Sequence, residues 1–236
     1  GKKNNYDFVI TEIGGTVGDI EGLPFLESIR QLKWELGKRA LCVHLTYIPY
    51  LAAAKELKTK PTQHSVKELQ SVGIQPDILV LRTEHPINDN IRKKVANFCN
   101  VDADAVVQSV DMPTIYEVPV RMQEQKLDET ILRKMGEPVG ETPTLGPWRS
   151  FLERRHKATE IVNIGLVGKY DLQDAYKSIL ESLSQAGTYN DYKVKTTFIN
   201  SEKITEDNVA EKLKDMDGIV TVSYTHLRAH ETVLDL

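Results

Sequence analysis

The sequence predicts an α/β chain built on a parallel, doubly wound sheet, followed by a second and shorter α/β unit. Two observations predict it: apolar runs of strand length alternate with segments of helical period, and one proline- and glycine-rich break divides two such series.

In chain order, Tyr6–Thr11 reads as a short strand and is followed by a turn carrying Gly14, Gly15 and Gly18. A helical pattern comes next, with Phe25, Ile29, Leu32 and Leu36 at core-facing spacing. Leu41–Tyr50 reads as strand, Ser65–Val72 as helix, Ile78–Leu81 as strand, Ile87–Phe98 as helix and Ala105–Val110 as strand. Glu137–Pro147 holds three prolines and two glycines in eleven residues, so neither helix nor strand persists there and a linker is expected. Beyond it, Trp148–His156 reads as helix, and a second alternation follows. This runs through strand Ile161–Val167, helix Asp174–Ala186, strand Val194–Asn200, helix Val209–Leu213 and strand Gly218–Val220. That series spans about 60 residues, short of a usual domain of 100 or more.

Composition excludes several function classes. The 236 residues are 40% hydrophobic and 27% charged, with a formal net charge of −4, so no global basic field draws the chain to nucleic acid or anionic lipid. No apolar run reaches the roughly 18 residues of a membrane span, and Gly1–Asn5 lacks the apolar core of a signal peptide, so a cytoplasmic protein is expected. The chain opens on Gly and enters a predicted strand within about five residues, which suits the loss of an upstream portion. Cys42 and Cys99 lie in apolar contexts without CxxC spacing and read as reduced, buried thiols.

Chemistry is expected where strands end, because ligands of open α/β sheets bind outside the carboxyl ends of strands. Glu12 follows the first predicted strand and is either a ligand for a hard cation such as Mg²⁺ or a solvated acid. Asp19 and Glu21, flanking Ile20, either complement the positive end of the next helix or meet a ligand. In the second case repulsion keeps them from phosphates and leaves ribose hydroxyls or a base amino group as partners. Lys58-Thr59-Lys60-Pro61-Thr62-Gln63 has the opposite character. Ammonium groups just ahead of helix amides suit phosphate oxygens; alternatively this is a solvated basic loop in which Thr62 or Ser65 caps the helix, the latter with Glu68. Lys94 is a surface lysine by position, and Asp111, within Val110-Asp111-Met112, again ends a strand. The chain contains no Walker A sequence and no Gly-x-Cys-x-Gly elbow.

The run Glu12–Glu21, then Leu23–Glu27, Lys58–Leu69, Gly73–Leu79, Phe98–Val101 and Ile164–Tyr170, closely resembles the CTP synthase family over residues 1 to about 220. The resemblance implies a P-loop-type synthetase domain, in part (1–130), a linker (131–158) and the start of a class I glutaminase domain (159–220). It implies an ATP-dependent amination of UTP to CTP with glutamine-derived ammonia, in a homotetramer. It further implies Mg²⁺ at Glu12, and UTP or CTP at Asp19, Ile20, Glu21, Lys58, Thr59, Lys60, Pro61, Thr62, Gln63 and Lys94. Val110, Asp111 and Met112 match the adenine-side ATP contacts. The family's phosphate loop, its first metal carboxylate and the glutaminase nucleophile have no counterpart in this sequence, and 221–236 departs from the family as an aberrant tail. An incomplete enzyme with weak or absent turnover is therefore expected. The rival readings are a related ATP-dependent ligase of the dethiobiotin-synthetase kind and a non-catalytic nucleotide-binding or assembly module.

Overall fold

The computed structural model describes residues 5–169 and 173–222; Tyr170 and the tail beyond Val222 lie outside them. The chain divides into two compact units, residues 1–143 and 144–236.

In the first unit, helix α1 (Leu23–Leu36) leads to strand β1 (Val43–Ile48), a small hairpin of β2 (Tyr50–Leu51) and β3 (Glu56–Leu57), and helix α2 (Lys60–Ser71). Strand β4 (Ile78–Thr83), helix α3 (Asp89–Cys99) and strand β5 (Val106–Val110) follow, then helices α4 (Val118–Glu124) and α5 (Leu127–Met135). The main sheet has the order β1-β4-β5, all parallel, and its carboxyl ends finish level: Ile48 is opposite Thr83, and Thr83 is opposite Val110. Because strand order advances in one direction, right-handed crossovers put α2 and α3 on the same face. There Val66, Val95, Ala96 and Cys99 close a core with Ile48, Leu79, Leu81 and Val106. The direction reversal that defines a doubly wound sheet does not occur among the described strands of this unit.

Central strand β4 is buried on both faces except at Arg82, whereas edge strand β1 alternates. His44, Thr46 and Ile48 of β1 are buried, while Val43, Leu45 and Tyr47 are exposed. The polar residues of the buried face are satisfied by α2: His44 Nε2 lies 2.9 Å from Ser65 Oγ, and Thr46 Oγ1 lies 2.8 Å from Thr62 Oγ1. Asp77, one residue before β4, ties three elements together. Its Oδ2 accepts from the Cys42 amide at 2.7 Å and pairs with Lys33 of α1, while its own amide donates to the Cys42 carbonyl at 2.8 Å.

Four expectations change. Residues 6–11 form no strand: no described strand pairs with them, and Phe8, Val9 and Ile10 are exposed. An extended segment without a ladder has nothing to satisfy its amides except water. On α1, Leu26 and Ile29 pack with Leu69 and Ile74, whereas Phe25 and Leu32 are exposed; the apolar stripe is displaced from the one expected. Helix α2 begins at Lys60 rather than Ser65, since Pro61 suits a first helical turn. The capping position is Thr59, without a side-chain cap, and neither Thr62 nor Ser65 serves as one. Cys99 is fully buried and its thiol is pushed up to about 11 by burial, but Cys42 is only part-buried.

In the second unit, helix α6 (Gly146–Lys157) precedes strand β6 (Ile161–Gly168), helix α7 (Lys177–Tyr189), strand β7 (Lys193–Asn200), helix α8 (Val209–Leu213) and strand β8 (Gly218–Thr221). The parallel order is β7-β6-β8, so the direction does reverse around β6, and right-handed crossovers place α7 and α8 on opposite faces. Arg154 of α6 holds Asp191 through two bonds of 2.9 and 3.0 Å at the end of α7. Residues 137–145, between α5 and α6, contain no helix or strand, as their prolines and glycines predict.

Burial holds the His44 imidazole below its ordinary pKa of 6.5. With the folded value below the unfolded one, the unfolded chain binds the proton first as pH falls. The contribution of His44 is therefore fully present above about pH 6.5 and is lost as pH drops toward the folded pKa. Urea midpoints measured on both sides of that value should show a smaller acid-side loss in His44→Gln than in the wild type.

Candidate functional site

The turn after residue 12 is shaped by its glycines and by Asp19. Gly15 (φ +82°) and Gly18 (φ +107°) occupy the left-handed region, and a Cβ at Gly15 would meet Asp19 Oδ2 at 3.3 Å. Asp19 closes the turn by accepting from the Thr16 amide at 2.8 Å and donating its own amide to the Thr16 carbonyl at 3.0 Å. Val17 packs into the cluster of Leu26, Leu69 and Ile74, which anchors the turn to the core. Ile20 (82% exposed) and Glu21 begin a 3-10 turn running into α1, and Asp19, at its cap position, makes no side-chain cap bond. Both acids thus stand ahead of a helix without capping it. Glu12 is exposed, and no group of three or more metal-ligating side chains occurs among the described residues.

The basic segment divides into two sets of side chains. Thr59, Thr62 and Gln63 are buried, with Gln63 Nε2 donating to Thr59 Oγ1 at 3.1 Å and Thr62 Oγ1 to the Tyr47 carbonyl at 3.0 Å. Lys60 and Pro61 are exposed on the first turn of α2, and Lys58, just ahead of it, pairs with Glu56 of the hairpin. The Lys58–Glu56 pair is about half exposed on both sides, the kind of surface pair worth about 0–1 kcal/mol, so a phosphate can displace Glu56 at small cost. Lys60 and Lys94 have no ion-pair partner among the described residues. The bond from Thr62 to Tyr47, near the end of β1, brings the amino end of α2 to the carboxyl edge of the sheet.

That same edge carries Val110-Asp111-Met112. The Asp111 amide extends the ladder by donating to the Thr83 carbonyl at 2.9 Å, and its carboxylate meets Arg82 at 3.2 Å. Tyr47 donates its hydroxyl to Glu84 at 2.9 Å, a bond that raises the phenol's pKa, and Tyr50 meets His85 edge-on at 4.2 Å. Arg82, Glu84, His85 and the two tyrosines carry no motif, and their shared location follows only from the level ends of β1 and β4. No hydrogen bond or ion pair among the described residues joins Asp19–Glu21 to Lys58–Gln63. The basic segment and Val110–Met112 share the sheet's carboxyl edge, while the acidic turn is held through the cluster of Leu26, Leu69 and Ile74.

A family model described as the N-terminus of CTP synthase matches residues 1–136. The chain belongs to this family. A CTP synthase of Bacteroides thetaiotaomicron is 77% identical over 222 residues, covering 93% of this chain and 41% of the relative. CTP synthases of Porphyromonas gingivalis and Flavobacterium johnsoniae are 69% and 56% identical, each over 93% of this chain and 41% of the relative. The chain therefore spans about two fifths of the length of the curated relatives it matches.

Thr62 is 0% exposed and shares its hydroxyl between Thr46 and the Tyr47 carbonyl. Thr62→Val should lower the unfolding free energy by about 1–3 kcal/mol, because it strands buried polar groups, and Thr62→Ser should recover most of it. Urea denaturation of the three proteins measures both changes.

Proposed function

We infer that this chain is the nucleotide-recognising part of an ATP-dependent C–N ligase that makes CTP from UTP with glutamine-derived ammonia, and that it continues into the start of the glutaminase domain. On this reading, residues 1–130 belong to the synthetase domain, a doubly wound P-loop-type fold when complete; 131–158 form the linker and 159–220 open the glutaminase. Residues 221–236 are an aberrant tail. The reversed strand order around β6 supports the start of a second doubly wound domain. The working enzyme is a cytoplasmic homotetramer on this proposal.

The observation that carries the reading is the separation of charge. Lys58 and Lys60 stand at the amino end of α2, where helix amides and ammonium groups together favour the triphosphate of UTP or CTP. Lys94 adds a third cation. Asp19 and Glu21 stand on a separate turn and suit the neutral ribose or base, with Ile20 against the ring. Thr59, Thr62 and Gln63 act from inside, fixing the backbone on which the lysines stand. Val110, Asp111 and Met112 offer backbone groups to adenine at the sheet edge.

Mg²⁺ keeps most of its waters and takes one or two carboxylates together with substrate phosphates, so the single exposed carboxylate of Glu12 fits one ligand position and not a protein cage. Glu12 would hold such an ion, which would supply neutralisation of phosphate charge. With neither a Walker A loop nor a nucleophile elbow in the sequence, this chain by itself binds nucleotide and does not turn it over.

Calorimetric titration with UTP, CTP, ATP and GTP tests the reading. UTP and CTP should bind in preference to GTP. Lys58→Ala and Lys60→Ala should each weaken UTP by about tenfold or more, the scale of one charge-assisted hydrogen bond, with unchanged circular dichroism. Binding without pyrimidine preference, or unaffected by either lysine, would contradict it.

A further inference from the structure

Strand β5 is an edge of the main sheet, and the edge facing away from β4 has no strand beside it among the described residues. An open edge leaves amide groups that need partners. At Gln108 one side chain supplies both partners. Gln125 Oε1 accepts from the Gln108 amide at 2.9 Å, and Gln125 Nε2 donates to the Gln108 carbonyl at 2.8 Å, the pair of bonds a neighbouring strand would make. The second proton of Nε2 goes to the Arg121 carbonyl at 3.1 Å, so both donors are used and the amide cannot rotate without loss. Backbone geometry holds it in place: Gln125 caps the end of α4, and Lys126, next in the chain, takes the left-handed conformation that turns the chain into α5.

Gln108 passes the constraint onward. Its own Oε1 accepts from the Ile87 amide at 2.8 Å, fixing the turn after β4, and Arg92 of α3 donates to the carbonyl of Val106 on the same strand. Asp111, three residues beyond Gln108, is held in turn by the Thr83 carbonyl. Strand β5 is therefore held on both edges, by its ladder with β4 on one and by a side-chain amide at Gln108 on the other.

We propose that Gln125 is a positioning residue for nucleotide binding, holding the Val110–Met112 segment in the register that receives adenine. It does not touch the nucleotide. Its effect is pre-organisation: a segment already ordered loses less freedom when a ligand binds. The inference rests on the assignment of Val110–Met112 to ATP and adds a residue from a different element to it. The pyrimidine-side residues lie on the turn before α1, on α2 and the residues just ahead of it, and, for Lys94, on α3; among the described residues none of them is bonded to Gln125 or to the Gln108 side chain, so the action of Gln125 is specific to ATP.

The test is Gln125→Met, which keeps length and removes all three side-chain bonds. Titrated in parallel with the wild type, it should bind ATP about tenfold more weakly and UTP with unchanged affinity. Equal weakening of both nucleotides, or unchanged ATP binding, would overturn the proposal. A wild-type chain that binds UTP but not ATP would overturn the adenine assignment itself, a separate result visible before any variant is made. A measurement independent of the variant's folding uses the wild type alone. Saturating ATP, but not UTP, should slow hydrogen exchange at the Gln108 and Asp111 amides, and no slowing would also overturn the proposal.

Discussion

The level ending of β1, β4 and β5 is the constraint on which the first unit depends. Ile48, Thr83 and Val110 stand side by side at one edge because the ladders are held in register from their other ends. Asp77 does much of that holding. Its carboxylate takes the Cys42 amide and the Lys33 ammonium, and its amide takes the Cys42 carbonyl, so the starts of β1 and β4 and the end of α1 meet at one residue. A slip of one residue in β4 would turn Leu79 and Leu81 away from Val66 and Val95 and put its other face into the core. The site inherits its geometry from that register.

Polar groups inside the fold reinforce the same edge. Thr62 and Ser65 of α2 meet Thr46 and His44 of β1, so helix and strand are matched by hydrogen bonds as well as by apolar packing. Buried polar pairs of this kind cost little when complete and much when broken, and they fix one arrangement of α2 against β1. That arrangement sets where Lys58 and Lys60 stand. The acidic turn is closed by its own bonds between Asp19 and Thr16 and is anchored by Val17 against Leu26 of α1 and Leu69 of α2.

Alternation of apolar runs and helical periods made the parallel α/β architecture legible, because β4, buried on both faces, reads as a continuous apolar run in any context. The stretch 137–145, without helix or strand, was equally legible from its prolines and glycines. Tyr6–Thr11 has strand composition but no partner strand among the described residues, and pairing is not written in a single segment. Ser65 with Glu68 imitates a capping box; the helix starts earlier because Pro61 favours a first turn and Thr62 finds a better partner in Thr46. Helices α4 and α5 went unread beneath Pro119 and a mixed charge pattern. Of the candidate site, the residue types were legible in Lys58–Gln63 and Asp19–Glu21. Which of them face inward was not, since a threonine or glutamine reads alike whether it binds a ligand or its own backbone. Nothing in the sequence marks Gln125, whose partner is the backbone of Gln108.

Two nucleotides should report on two different parts of one fold. Backbone amide chemical shifts of the purified chain, followed during separate titrations with UTP and with ATP, test that division most directly. UTP should move the amide resonances of Asp19–Glu21 and of Lys58–Gln63 other than Pro61, and ATP those of Val110–Met112. Both nucleotides moving one common set of resonances, or neither moving any of these, would contradict it.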